Sequence, residues 1–103
     1  DRFMSPKVMH YFTKSNRSLT SPDVQFFRKS ALSGAHHLPL FVKKDDDEGI
    51  SFYYVGDVRP DPDSFAESTM QKEGGGSTPV VTMDLILDQP VKESLYDYLI
   101  SDS

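Results

Sequence analysis

The chain has 103 residues, 37% of them hydrophobic, which allows one small domain with one core and contains no apolar run near the ~18 residues of a transmembrane helix. It has no cysteine, so disulfides, thiolate zinc sites and thiol nucleophiles are excluded, and the composition fits a reducing cytoplasm. The net charge of -5 hides a split: residues 1–44 hold eight cations against two acids, a net +6, and residues 45–103 hold three against fourteen, a net -11.

Between Lys7 and Thr13, Val8, His10 and Phe12 alternate with Met9, Tyr11 and Thr13, which predicts a first strand. A polar turn cluster follows, Ser15-Asn16-Arg17-Ser18 and Thr20-Ser21. Ser21-Pro22-Asp23 then reads as an N-cap, a proline at the first helical position and an early acid, predicting a helix from Pro22 to about Ala31 that Ser33-Gly34 ends. Its Val24, Phe27 and Ala31 fall on one face, leaving Gln25, Arg28 and Lys29 toward water or a ligand. Leu38 to Lys44 and Ile50 to Val58 read as paired strands joined by the charged tip Asp45-Asp46-Asp47-Glu48-Gly49.

Residues 59–78 show no periodicity and end in Gly74-Gly75-Gly76-Ser77, which predicts a long flexible loop. Val80 to Leu87 is a fourth strand, with Val81, Met83, Leu85 and Leu87 on one face. Pro90 opens a second short helix with Val91, Leu95, Tyr98 and Leu99 as its apolar stripe. The order predicts a single α+β, mostly β domain: a small, twisted, partly closed antiparallel sheet with two short helices. Because the sequence starts at Asp1, the chain reads as a domain from a longer protein.

Catalytic and metal motifs are weak. Asp45 to Glu48 lacks the alternating ligand spacing of a calcium loop and reads as a solvated tip. His36-His37 has no third ligand at a defined spacing, and no serine sits in a glycine-flanked elbow. The triple glycine lacks the Lys and Ser/Thr of a phosphate loop, so no cofactor and no metal are expected. The remaining constellation runs from His10 through Tyr11 and Lys14 to Ser15, Asn16, Arg17 and Ser18. A ring for stacking, cations for phosphates, and amide and hydroxyl groups for hydrogen bonding are what a nucleic-acid site requires. The plain alternative is a packed Tyr11 beside an ordinary solvated turn.

Four segments carry a family resemblance: His10 to Ser21, Leu38-Pro39-Leu40-Phe41-Val42-Lys43-Lys44, Phe52-Tyr53-Tyr54-Val55-Gly56-Asp57-Val58, and Thr82 to Val91. Together they resemble a bacterial domain of unknown function found at the C-terminus of superfamily-two DEAD/DEAH-type helicases and restriction-associated helicase-like proteins. The chain departs from that pattern in having Tyr rather than Trp at position 11 and in the length of segment 59–78. The resemblance implies a barrel-like fold of the PUA and SET-and-RING-associated kind, beside an ATP-driven translocase that holds the catalytic activity. It implies a non-catalytic DNA-binding role, with DNA expected ahead of RNA and no membrane partner. The expected contacts are Tyr11 for stacking, Asn16 and Ser18 for hydrogen bonds, and Lys14, Arg17, Arg28 and Lys29 for phosphates, with Ser15 a further site residue of the same turn. A rival expectation is a docking module whose acidic half packs on the parent helicase core in cis.

Overall fold

The computed structural model describes residues 1–34, 38–44 and 52–101. In these, the elements run β1 (Arg2–Ser5), β2 (Val8–Phe12), α1 (Pro22–Ser33), β3 (Leu38–Val42), β4 (Tyr53–Pro60), β5 (Ala66–Gln71), β6 (Ser77–Leu87) and α2 (Glu93–Ile100). The strands form one antiparallel sheet of order β1-β2-β6-β4-β3, with β5 paired to β6 off that path.

Strand β6 is the spine. One of its edges pairs with β2, from Val8 opposite Ile86 to Phe12 opposite Thr82. Its other edge is shared in series: β4 covers Leu85 to Leu87 and β5 covers Ser77 to Thr82. Being paired on both edges, β6 is buried along most of its length, with Val80, Val81, Met83 and Leu87 at 0% exposure. Met83, Leu85 and Leu87 form the core with Met9, Val55, Val58 and Val91, and the helices lay Phe27, Leu95, Tyr96 and Leu99 against it. Each such aliphatic side chain stabilises the fold by roughly 1.5–3 kcal/mol relative to exposure.

Helix α1 begins where Ser21-Pro22 predicts and stops at Gly34, whose left-handed backbone lets its N–H donate to Ser30 O at 3.2 Å. The Ser21 hydroxyl does not cap α1; it accepts from Ser18 N at 2.9 Å and so tightens the preceding turn. Gly56 sits where the β3–β4 register shifts between Leu40 and Phe41, at φ 133°, a conformation that side-chain-bearing residues rarely adopt.

Several expectations are corrected. Segment 59–78 is not a structureless loop: it completes β4, contains β5 and begins β6, and the triple glycine is the turn between β5 and β6, not a linker. All six residues of β5 are exposed, so no apolar alternation marks it, and it is held by the ladder that β6 offers. Gly74, Gly75 and Gly76 all have positive φ, which the tight return from Lys72 to Gly76 uses. The second helix begins at Glu93, not Pro90; Val91 is buried ahead of it and its N–H donates to Pro6 O at 2.8 Å. Strand β1 is an addition that the sequence pattern does not predict.

Among the described residues the sheet is not closed, so the barrel expectation fails while the mostly β, α+β class holds. Closure would need a β1–β3 ladder, but β1 is four residues long with a register shift between Phe3 and Ser5, and β3 carries Pro39, which has no N–H to donate. The tip Asp45–Gly49, Ile50 and the pair His36-His37 lie outside the described residues.

Candidate nucleic-acid interface

After Phe12 the chain leaves the β-ladder but does not leave β6. Thr13 N donates to Val81 O at 2.9 Å, and Val81 N donates to Thr13 Oγ1 at 2.9 Å. Further along, Asn16 N donates to Thr78 Oγ1 at 3.1 Å and Arg17 N to Pro79 O at 3.0 Å. The polar turn is therefore bonded to the free stretch of the β6 edge beyond β2. Asn16 makes the bend with a left-handed backbone, φ 62°, which asparagine tolerates better than most residues.

The second half of the turn is joined to the helix and to β5. Ser18 and Thr20 share a hydroxyl hydrogen bond of 2.9 Å, Gln25 Nε2 donates to Leu19 O at 2.6 Å, and Leu19 N donates to Glu67 Oε2 at 3.1 Å. Arg17 Nε donates to Asp23 Oδ2 at 2.8 Å, and its Nη1 donates to Ser15 O at 2.9 Å. That guanidinium bond is the main reason the Asp23 carboxyl is held below its usual value.

Between this turn, β2 and α1 lies an open groove of about 660 Å³. Tyr11 and Phe27 supply its apolar side, edge to face with ring centroids 6.2 Å apart. Lys14, Asn16, Arg17 and Asp23 supply its polar side. Beyond Arg17 a hollow of about 280 Å³ is bordered by Ser18, Ser21, Glu67 and Pro79.

Of the residues singled out in the sequence, Tyr11, Lys14, Asn16 and Arg17 thus meet in one groove and Ser18 borders its neighbour. Ser15 contributes its carbonyl to Arg17. Arg28 lies elsewhere on α1, its guanidinium 5.9 Å from the centroid of Phe65, and Lys29 is exposed on the same helix and lines neither hollow. Sequence reasoning missed Asp23 and Phe27 as groove residues. Their four-residue spacing places both on one face of α1, a signal that becomes meaningful once α1 is known to dock beside Tyr11.

His10 pairs with Asp84, Nδ1 to Oδ1 at 2.9 Å, and meets the Phe12 ring edge to face. Strand alternation puts it on the face of β2 opposite Tyr11, outside the groove. Among the described residues no group of three or more His, Cys, Asp or Glu is placed to hold a metal, and no helix is long and apolar enough to cross a membrane.

Fold and groove together define a small open-sheet module, two helices on its core-facing side, with a mixed aromatic and cationic groove beside its central strand. The chain belongs to the family described as a domain of unknown function, DUF3427, which matches residues 1–99. No curated protein and no solved structure matches it.

Proposed function

We propose that this chain is a non-catalytic, DNA-binding accessory domain that works in the cytoplasm as the C-terminal part of a bacterial helicase-like or restriction-type protein. One observation carries the reading: Tyr11, Lys14, Asn16 and Arg17 line a single open groove, so a ring, two cations and an amide face the same space. In this reading Tyr11 walls or stacks the ligand, Asn16 and Ser18 hydrogen-bond to it, and Lys14 and Arg17 hold phosphates. Arg28 and Lys29 contribute only at the periphery.

The test is fluorescence anisotropy of a labelled oligonucleotide at two salt concentrations. Replacing Lys14 and Arg17 together by alanine should weaken binding and flatten the slope of log affinity against log salt by about 0.9 for each phosphate that is no longer neutralised. Unchanged affinity at low salt would remove the assignment.

A second reading has an observation of its own. Leu32 is 79% exposed and Phe26 48% exposed on α1, apolar groups suited to covering by another protein surface. In that reading the domain docks on its parent's helicase core through α1 as well as through its acidic half, so Leu32→Ser, like charge reversal at Asp45 to Asp47, weakens docking while leaving oligonucleotide binding intact.

A further inference from the structure

Three depressions adjoin along one side of the molecule. The groove at the polar turn includes Tyr11, and Tyr11 also borders a hollow of about 250 Å³ formed with Met9, Leu40, Phe41, Val42 and Phe52. This middle hollow shares Met9, Val42 and Lys43 with a third, about 300 Å³, that reaches Arg2, Lys44 and Leu99. Strands β2 and β3 are not sheet neighbours, since β6 and β4 stand between them. That both line one hollow, and that Arg2 and Phe3 of β1 join Val42 of β3 at the next, means the sheet curls until its two ends, β1 and β3, face each other across an open seam.

The seam sorts charge. Arg2, Lys14, Arg17, Lys43 and Lys44 border the three depressions, against the carboxylates of Asp1 and Asp23. Both carboxylates are engaged, Asp1 by the backbone N–H of Phe12 at 2.9 Å and Asp23 by Arg17. Among the described residues this side is cationic in a chain of net charge -5, while Glu93 and Asp97 border a separate depression at α2. Lys44 is held in place there, its Nζ donating to Ser101 and lying 5.5 Å from the Tyr98 ring centroid. The Phe52 ring stands open at the middle hollow, at 60% exposure; Phe41 alternates to the other face of β3 from Leu40 and Val42, and its ring packs against Tyr54 with centroids 5.5 Å apart.

We propose that the seam is a track for single-stranded nucleic acid, running from the polar-turn groove past Tyr11 and Phe52 to Arg2 and Lys43. The inference rests on the nucleic-acid reading of the polar turn and adds the strandedness of the ligand and the second half of its path. Exposed rings stack directly on unpaired bases, and a line of cations beside them follows one phosphate backbone. A duplex must first be kinked and partly unstacked before such rings can enter it, so an unpaired strand is the readier ligand.

The experiment compares a labelled 12-nucleotide single strand with its duplex, by anisotropy, on the wild-type chain, on Phe52→Ala, on Arg2→Gln with Lys43→Gln, and on Lys14→Ala with Arg17→Ala. Thermal melts confirm that each variant folds, which the exposure of Phe52 favours. The expected result is a single-strand preference of tenfold or more, cut at least threefold by Phe52→Ala with little change in salt dependence. The Arg2/Lys43 pair should flatten the salt dependence of single-strand binding. Duplex binding equal to or tighter than single-strand binding would overturn the track while leaving the DNA-binding reading in place. So would sensitivity confined to Lys14 and Arg17. No binding of either probe at low salt would overturn both.

Discussion

Arg17 and Asp23 form an ion pair across the mouth of the groove, Nε to Oδ2 at 2.8 Å, that joins the polar turn to the first turn of α1. The same guanidinium is a candidate phosphate contact, so the intramolecular carboxylate and an external phosphate compete for one cation.

This competition predicts a gain of binding when the ion pair is removed. The Asp23 carboxyl is held below its usual 3.8, first by the hydrogen bond from Arg17, so the pair's contribution is complete above about that pH and is lost as pH falls through the lower folded value. With side chains 31% and 42% exposed, the pair contributes at most about 1 kcal/mol at neutral pH. Asp23→Asn should therefore cost little stability while strengthening oligonucleotide binding and steepening its salt dependence. Melts at pH 7 and anisotropy at two salt concentrations check both halves; weaker binding would mean that Asp23 positions Arg17 for the ligand.

The hydroxyl of Thr13 accepts from Val81 N–H and donates to Lys14 O at 3.1 Å, within a residue only 5% exposed. Thr13→Val keeps the shape and leaves a buried donor on β6 without its partner, a loss of about 1–3 kcal/mol. Thr78→Val should cost less, because the N–H of exposed Asn16 that it serves can turn to water. Urea denaturation of the two variants gives the comparison, and the reverse order would show that the turn is held mainly through Thr78.

Gly56 marks the point where β4 slips against β3. At φ 133°, with an added Cβ 3.5 Å from Leu87 Cδ2, Gly56→Ala meets ordinary van der Waals contact but a strained backbone. The expected cost is about 1–3 kcal/mol. For a domain of this size that lowers the melting temperature by roughly 4–8 °C per kcal/mol. A neutral substitution would mean that the register shift relaxes when the glycine is replaced.

Elements with one buried face are legible in the sequence. Met9 and Tyr11 on β2 alternate with Val8, His10 and Phe12, and Met83, Leu85 and Leu87 on β6 with Thr82, Asp84 and Ile86, because a strand's side chains take opposite sides of the sheet. Ser21-Pro22 and Gly34 bound α1 through local backbone preferences that need no partner. The polar turn is legible for the same reason, its residues being consecutive in the chain.

Long-range bonding decided the rest. Strand β5 has no buried face to imprint a period on its residues, and it exists because β6 runs on to Ser77 and supplies its hydrogen bonds. The groove needs α1 to dock so that Phe27 meets Tyr11 and Asp23 meets Arg17, and no local preference encodes that approach. The seam needs β2 and β3, about thirty residues apart and separated in the sheet by β6 and β4, to face each other through curvature. Periodicity reports which side of an element is buried; only the packed sheet says against what, because the contacts join residues whose neighbours in sequence carry no trace of one another.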